Sequence, residues 1–187
     1  MSVRVIGPRD PPDPSAIDTT SRSRTWSRGL SPFFLGPAPL YEGAKVAESL
    51  TVENAWQYAK VYPQHLDPWG DPTPTYFTWA AEGWRNPSAV RYPMGKGARP
   101  EYSWWAGERL AYIEARKRIY IPLYAKAVAH TEAFQQLLAT YRSRGEVTLW
   151  DFDGYDRGSR SLLDVVNDPV RTMGHAFVLA LLLEKLR

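Results

Sequence analysis

The chain has 187 residues, of which 44% are hydrophobic and 23% charged, and it carries a formal net charge of +3. This balance is typical of one globular domain with its own core, and the mild basic excess permits a phosphate-bearing partner without requiring one. The complete absence of cysteine excludes disulfide scaffolds, cysteine nucleophiles and zinc sites built on thiolates. Because the three histidines are far apart in the sequence, we also expect no metal site and no cofactor.

No apolar run in the sequence reaches the ~20 residues that a membrane span requires. The first residues also lack the apolar core of a signal peptide. We therefore expect a cytoplasmic protein that does not contact a membrane, and the sequence indicates no oligomeric state.

Aromatic residues make up 13% of the chain, and eight of them are tryptophans. Aromatic side chains serve first of all as core material. A surplus that lies among polar residues is instead typical of a pocket that stacks on a flat ring, such as a base. This second interpretation predicts a nucleotide-like ligand.

Residues 1–28 are rich in proline and arginine, and we predict a loosely structured arm that precedes a domain of residues 29–187. Four prolines interrupt any helix or inner strand in this arm, namely Pro8, Pro11, Pro12 and Pro14. The arm then becomes basic through Arg22, Arg24 and Arg28. We interpret it as a strap on the domain surface, with phosphate binding by these arginines as the alternative.

The residues that follow Thr51 predict an amphipathic helix with that threonine as its N-cap. Val52, Ala55, Trp56 and Ala59 form its apolar stripe. Glu53, Gln57 and Lys60 follow the spacing i, i+4, i+7 and form a polar stripe, which Trp56 borders. Such a polar stripe can face solvent, as on most surface helices, or it can line a pocket with Glu53 near the positive N-terminus.

A second helix and a basic loop are predicted in the middle of the chain. The helix covers Thr75–Trp84, has Phe77, Ala80 and Ala81 on its inner face, and ends near Gly83. The segment Asn86–Trp105 is mostly irregular. Within it, Lys96 lies between two glycines, and Arg91 and Tyr92 are close in sequence. Backbone amides and cations of such a loop can close on a phosphate, although a solvated turn is the ordinary interpretation.

Helical periodicity resumes at Gly107, with a kink or break expected at Pro122 and a new helix capped by Thr131. The charged run from Glu114 to Arg118 predicts an exposed face on which these two residues form an i, i+4 pair.

The last part of the chain predicts a strand and a buried helix. Val147–Phe152 alternates and is rich in strand-forming residues. Met173–Leu186 is apolar on nearly every side, so we expect it in the middle of the domain. These elements together predict a single compact α+β domain, predominantly helical, with a few short strands and a buried C-terminal helix.

The predicted strand leads into an acidic turn that contains Asp151, Asp153 and Asp156. Its Asp-Phe-Asp-Gly sequence is similar to the turn of haloacid-dehalogenase phosphatases, but too few residues follow for that fold, and Tyr155 replaces the expected small hydroxyl residue. In the structural interpretation these aspartates cap backbone amides. In the functional interpretation one of them faces Glu53 across a cleft, and two such carboxylates suit hydrolysis of a glycosidic bond.

Several segments resemble the NADAR (YbiA-like) family. The N-terminal signature of this family is a short aromatic segment and a turn, followed by a helix with the sequence Val-Glu-His-Ala-aromatic-Gln-x-x-Lys. The residues of this chain that resemble it are Ser31-Pro32-Phe33, Leu40–Gly43 and Thr51–Lys60. Later family segments resemble Lys126–Thr140, Val147–Asp156, and Asn167 with Gly174. The sequence departs from the pattern at Asn54, where histidine is usual, and at Tyr155–Gly158, which replaces Trp-Gly-x-Gly. The resemblance therefore predicts a divergent member with an altered substrate preference.

The resemblance implies a compact, mainly helical α+β fold and cleavage of N-glycosidic bonds. The family's substrates are phosphorylated ribosylamino intermediates of riboflavin synthesis and ADP-ribosylated guanine in nucleic acid. By position, Glu53 would be the key acid and Asp156 or Asp153 the second carboxylate. The substrate-binding residues that we expect are Trp56, Gln57, Lys60, Asp151 and Asn167, and charge and stacking add Arg91, Tyr92 and Lys96.

We therefore expect a metal-independent N-glycosidase that acts on a phosphorylated N-riboside or an ADP-ribosylated base. The first alternative is a non-catalytic protein that binds a nucleotide, ADP-ribose or nucleic acid through the same aromatic pocket. The second is a small phage or bacterial structural protein in which the aromatic residues serve only the core.

Overall fold

A computed structural model describes residues 2–186. Contacts divide the chain into two units, which we call the terminal unit (Met1–Phe34 with Tyr124–Arg187) and the central unit (Leu35–Leu123). Helices and short strands occur in both, and the predicted mixed α+β class is confirmed. The division does not coincide with the expected boundary between residues 28 and 29.

The strands are, in chain order, β1 (Ser2–Ile6), β2 (Ile17–Asp18), β3 (Ala38–Pro39), β4 (Glu48–Ser49), β5 (Lys60–Val61), β6 (Tyr102–Trp105), β7 (Glu108–Leu110) and β8 (Glu146–Trp150). The α-helices are α1 (Val52–Gln57), α2 (Pro74–Arg85), α3 (Tyr112–Ala115), α4 (Ile121–Val128), α5 (Glu132–Arg144), α6 (Leu162–Val166) and α7 (His175–Lys185). Two 3₁₀ turns, Trp26–Leu30 and Pro63–His65, and a π-helical turn, Arg116–Tyr120, complete the described elements.

The terminal unit contains a three-stranded parallel sheet in the order β1-β8-β2. The predicted strand of Val147–Phe152 is observed as β8, which runs from Glu146 to Trp150 and lies between the other two strands. Because β8 is the central strand, its backbone pairs on both edges, and Leu149 is fully buried.

The first residues correct the expectation of a loosely structured arm, because residues 2–6 form β1 and pair in register with β8 from Ser2–Glu146 to Ile6–Trp150. Val3, Val5 and Ile6 are buried. The prolines that suggested an arm all follow this strand, so they do not interrupt it.

Helices α5 and α7 supply most of the remaining core of the terminal unit. The predicted N-cap of α5 is confirmed, since the Thr131 hydroxyl accepts a hydrogen bond from the Phe134 amide at 3.1 Å. In α7 every residue from Ala176 to Ala180 is at most 1% exposed, and the helix packs against β1. Such all-round burial agrees with the expected interior position of this apolar helix.

The central unit contains the antiparallel sheet β5-β6-β7 and the two-stranded ladder of β3 and β4. Helix α2 packs its buried Tyr76, Ala80 and Trp84 against Tyr58 and Val61. The predicted second helix is confirmed, because α2 runs from Pro74 to Arg85, one residue longer at each end than the predicted range. The ring of Tyr58 occupies the space that a Cβ at Gly83 would need.

The hairpin between β6 and β7 corrects the prediction of a helix that begins at Gly107. Trp105 pairs with Glu108, so only Ala106 and Gly107 form the turn. Both have positive φ, 51° and 84°, which is the conformation of a type I′ turn. The helix begins after β7, at Tyr112.

Helical structure is not broken at Pro122, which lies inside α4. A proline at this position has no amide hydrogen, and its ring crowds the carbonyl four residues earlier. The π-helical turn that directly precedes α4 moves that carbonyl out of the ordinary i to i+4 pattern, so we attribute the π turn to the proline.

Among residues 2–186, no helix is both long enough and apolar enough to cross a membrane.

Candidate functional site

Helix α1 in the central unit begins at its predicted cap. The Thr51 hydroxyl accepts a hydrogen bond from the Asn54 amide at 3.1 Å. Glu53 lies in the first turn, where the partial positive charge of the helix N-terminus favours a carboxylate. Only 6% of this residue is exposed, so the interpretation of a fully solvated polar face does not describe Glu53.

A chain of hydrogen bonds connects the three members of the predicted polar stripe. Gln57 Nε2 donates to Glu53 Oε1 at 2.9 Å, and Lys60 Nζ donates to Gln57 Oε1 at 2.6 Å. The helix ends at Gln57, and Lys60 lies on β5, which corrects its predicted helical position. The long lysine side chain still reaches back to the last helical residue, so the three polar groups are brought together.

Aromatic rings lie beside this series of hydrogen-bonded side chains. Lys60 Nζ lies 5.0 Å from the centroid of the half-buried Trp56 ring, within cation–π range. The Trp56 centroid is 5.3 Å from that of Tyr120 and 6.5 Å from that of Tyr112. Tyr112 is 42% exposed, so this aromatic group extends from the interior to the surface.

Arg116 is a residue that sequence analysis missed. It was part of the charged run expected to be exposed, but it is 1% exposed, and its guanidinium lies 4.5 Å from the centroid of the Tyr112 ring. The predicted pair of Glu114 with Arg118 is also wrong, because both oxygens of Glu108 accept bonds from Arg118 at 2.7 Å and Glu114 pairs with Lys117. A π turn changes which side chains share a face, so spacing rules for α-helices fail here. Pro122 was the feature of the sequence that could have indicated this π turn.

Asn54, where the resembled family has histidine, is fully buried and holds a neighbouring loop. Its Nδ2 donates to the carbonyls of Asn86 and Ser88 at 3.0 and 2.9 Å, and its Oδ1 accepts from the Val90 amide at 2.8 Å. These three bonds fix the start of the segment that carries Arg91 and Tyr92. The role of Asn54 is therefore to position this loop.

The predicted basic loop is irregular in the structure. Lys96 is exposed between Gly95 and Gly97, which have positive φ of 90° and 93°. Arg91 lies over the Tyr92 ring at 5.3 Å, and Tyr92 is 48% exposed. Stacking of a ligand on Tyr92 and phosphate binding by this loop both stay predictions.

The predicted acidic residues lie in the terminal unit and make capping contacts. Asp151 is buried; its Oδ2 accepts from the Ala176 amide at 3.1 Å and lies 3.1 Å from His175 Nδ1. The His175 Nε2 atom is 2.7 Å from the carbonyl oxygen of Thr19. Asp151 therefore connects the end of β8 to the start of α7, as the structural interpretation of the acidic turn expects.

Asp156 is more exposed than Asp151 and is held ionised. Its pKa is lowered mainly by the Gly158 amide, which donates to Oδ1 at 2.8 Å, and further by Arg4, whose Nη2 lies 3.0 Å from Oδ2. Asp153 accepts a long bond of 3.4 Å from Thr172. Asp153 and Asp156 line a cavity of about 730 Å³ that also contains Arg9 and Arg171.

The remaining predicted site residue, Asn167, is exposed at the end of α6 and donates to the Leu163 carbonyl at 2.9 Å. Glu53, Trp56, Gln57 and Lys60 therefore form one group in the central unit. That an aspartate of residues 151–156 faces Glu53 stays a prediction. Within the described part of the chain, no three His, Cys, Asp or Glu residues are arranged to hold a metal ion.

No curated protein and no solved structure matches this chain. The resemblance to the NADAR family therefore stays a prediction. One family model matches residues 8–179, which is most of the chain. The chain belongs to the family described as "Family of unknown function (DUF6939)".

Proposed function

We propose that this protein is an N-glycosidase that hydrolyses the bond between a base and a phosphorylated ribose or ADP-ribose. Glu53 is the proton-transferring carboxylate in this proposal. The observation that carries it is the buried chain from Glu53 through Gln57 to Lys60 beside the half-buried ring of Trp56. The resemblance of Thr51–Lys60 to the NADAR helix assigns the same residues to the site.

The chemistry of lysine determines the direction of the hydrogen bonds in this chain. A lysine ammonium only donates, so the Gln57 atom that faces it must be the carbonyl oxygen Oε1. The amide nitrogen of Gln57 then faces Glu53 and donates to Oε1 of the carboxylate. Gln57 thereby connects the carboxylate of Glu53 to the ammonium group of Lys60.

Hydrolysis of an N-riboside needs a proton on the leaving base and a water molecule at the anomeric carbon. In the proposed reaction Glu53 gives its proton to the base nitrogen as the C1′–N bond breaks, and the bonding electrons leave with the base. Water adds to the oxocarbenium-like C1′, and the proton that this water loses restores the carboxylic acid of Glu53 directly or through solvent. The products are the free base and the ribose with a hydroxyl at C1′.

The aromatic rings that lie beside Lys60 suit the leaving base. Stacking of a base on an aromatic side chain contributes roughly 1–3 kcal/mol to the free energy of binding, and every base can stack in this way. Trp56 and Tyr112 offer partly exposed rings. We therefore assign base stacking to these two residues, of which Tyr112 was not among the predicted site residues.

The second carboxylate of the proposal is an aspartate of the acidic turn. Asp156 favours its ionised form, because the Gly158 amide and Arg4 lower its pKa. An ionised carboxylate suits activation of water and stabilisation of positive charge on the sugar, and it does not suit proton donation. Asp156→Asn and Asp153→Asn variants test which aspartate contributes.

The decisive experiment compares Glu53→Gln with the wild type on a panel of N-ribosides. The panel contains ribosylamino-pyrimidine phosphates and an oligonucleotide with ADP-ribosylated guanine, and mass spectrometry detects the released base. We expect at least about 100-fold slower release, the usual contribution of a general acid, with unchanged affinity. Glutamine keeps the size and the hydrogen bond to Gln57. The exposed Glu82→Gln on α2 is the matched control and should retain full activity.

The competing class is a non-catalytic binding protein with the same aromatic group. It predicts that the wild type binds panel members and cleaves none of them. A loss of binding and turnover together in Glu53→Gln, with a lowered melting temperature, would assign Glu53 to the structure alone. Either result removes the glycosidase proposal.

A further inference from the structure

Three arginines lie close together in the terminal unit, just before and within the first 3₁₀ turn. Arg22, Arg24 and Arg28 occupy seven consecutive positions, and all three are exposed. None of them forms an ion pair with a carboxylate among residues 2–186. Asp18 is the acidic residue that lines the adjacent cavity, and its Oδ1 accepts from the Thr20 amide. This surface, which we call the arginine surface, therefore carries three positive charges, and Asp18 in the adjacent cavity offsets at most one of them.

Two of the three guanidinium groups rest on aromatic rings. The Arg22 guanidinium lies 5.2 Å from the centroid of Phe152, and that of Arg28 lies 4.3 Å from the centroid of Phe34. Stacking occupies a flat face of the guanidinium and leaves the N–H groups around its edge for an acceptor. Because stacking already restricts these long side chains, they lose less conformational entropy when a ligand binds.

A cavity of about 510 Å³ adjoins the arginine surface. Arg22, Arg24 and Trp26 line it, together with the hydroxyl residues Ser23 and Thr25. Its floor is fixed, because Ser23 Oγ lies 2.9 Å from Ser27 Oγ, and the Ser27 hydroxyl donates to the Asp18 carbonyl. Trp26 is half-buried and offers an aromatic surface next to two cations.

We propose that the arginine surface binds the sugar-phosphate backbone of a single-stranded nucleic acid, with one base stacked on Trp26. Cations that follow the backbone, interleaved with aromatic rings that accept any base, are the general features of single-strand binding. The chain's net charge of +3 has the sign that such a partner requires. This binding function is independent of the proposed glycosidase activity.

The first test measures binding of a fluorescein-labelled oligothymidylate of about 12 nucleotides, a length within the range of single-strand sites. Fluorescence anisotropy is recorded with the full chain between 50 and 200 mM salt. Three phosphate contacts predict a slope of about −2 in log affinity against log salt, which weakens binding about 20-fold across this interval. Absence of binding at the lowest salt concentration overturns the proposal.

The second test replaces the three arginines together by glutamine, which removes the charge and keeps an unbranched, polar side chain. The variant Arg22→Gln/Arg24→Gln/Arg28→Gln should bind at least about 10-fold more weakly at 50 mM salt and lose most of the salt slope. The control removes the same charge from exposed positions elsewhere, through Arg85→Gln/Lys126→Gln/Arg142→Gln. Equal weakening by both triple variants would indicate a general charge effect and overturn the proposal.

Four further measurements separate related outcomes. The Trp26→Leu variant should weaken binding while it leaves the salt slope unchanged, because it removes stacking and no charge. A labelled duplex that binds as tightly as the oligothymidylate would contradict the single-strand assignment. Complete competition by AMP at the same phosphate concentration would replace it with a mononucleotide site. The Glu53→Gln variant should bind the oligonucleotide normally, so failure of the glycosidase proposal leaves this test intact.

Discussion

Asn54 offers a direct test of how the loop next to the candidate site is held. The Asn54→Ala variant removes three hydrogen bonds and leaves two carbonyls and one amide of residues 86–90 without their partner. A single hydrogen bond contributes about 1 kcal/mol net, and loss of one partner from a buried group costs up to a few kcal/mol. The backbone groups in this loop are only partly buried, so water can replace some bonds. We therefore expect the free energy of unfolding to fall by about 2–3 kcal/mol.

The Asn54→Asp variant sharpens this test, since it keeps the size of the side chain and changes only its donors. Aspartate still accepts from the Val90 amide, but an ionised carboxylate then faces the carbonyl oxygens of Asn86 and Ser88. This repulsion raises the pKa of the introduced carboxyl in the folded state. A raised folded-state pKa for an acid means that stability falls as pH rises. The deficit relative to wild type should therefore be larger at pH 7 than at pH 4.

Urea unfolding followed by tryptophan fluorescence measures both effects. Asn167→Ala is the matched control, because Asn167 is exposed and makes one bond from its side chain, to the Leu163 carbonyl. It should cost less than about 0.5 kcal/mol, as is usual for surface substitutions. If Asn54→Ala costs no more than this control, the three bonds do not hold the loop, and the positioning role of Asn54 is refuted.

Two further predictions concern the central unit. His65 is 5% exposed, its Nδ1 has no hydrogen-bond partner among residues 2–186, and burial lowers its pKa. Because the folded state holds the proton of His65 less tightly than the unfolded state, the protein keeps its full stability above the unfolded-state pKa of about 6.5. Its free energy of unfolding declines as the pH falls below that pKa. His65→Phe should therefore lose less stability between pH 7 and pH 5 than wild type; equal losses in urea unfolding would contradict this. Ala106 has φ of +51°, and Ala106→Asn should raise the free energy of unfolding by about 0.5–1 kcal/mol, seen as a melting temperature higher by about 1–4 °C. An unchanged or lower value would show that the type I′ turn is not strained.

Local signals in the sequence predicted the elements that depend on short-range chemistry. The caps at Thr51 and Thr131 are hydroxyl groups that bond an amide three residues later, and this needs no information from the rest of the chain. The apolar pattern of α7 similarly predicted its burial. These predictions succeeded because the responsible atoms are neighbours in sequence.

Long-range pairing and altered helical geometry account for what sequence reasoning missed. Lys60 is a strand residue because it pairs with Ser103, which is far along the chain. Residues 2–6 form a strand because β8 provides their partner. Arg116 is buried because the π turn before Pro122 changes the faces of the helix. The first two causes lie far along the chain, and the third changes the helical period on which the pattern argument depends.

The candidate site was predictable in part for the same reason. The contacts of Glu53, Gln57 and Lys60 follow from their spacing near one helix, and they are observed although the helix is shorter than expected. The contribution of Tyr112 depends on the hairpin of β6 and β7, which the sequence signalled only through Ala106 and Gly107. A turn of this type usually carries asparagine or aspartate at the first position, so the alanine concealed it.

The parallel sheet has a consequence for the order in which the chain folds during synthesis. A ribosome that adds about 5–20 residues per second completes β8 roughly 7–30 s after β1. Throughout that interval the apolar side chains of Val3, Val5 and Ile6 have no sheet in which to be buried. Residues 35–123 emerge in full during the same period. Translation that stops before Glu146 would leave nascent β1 as an unpaired hydrophobic edge, the kind of segment that chaperones bind and that aggregates when they do not.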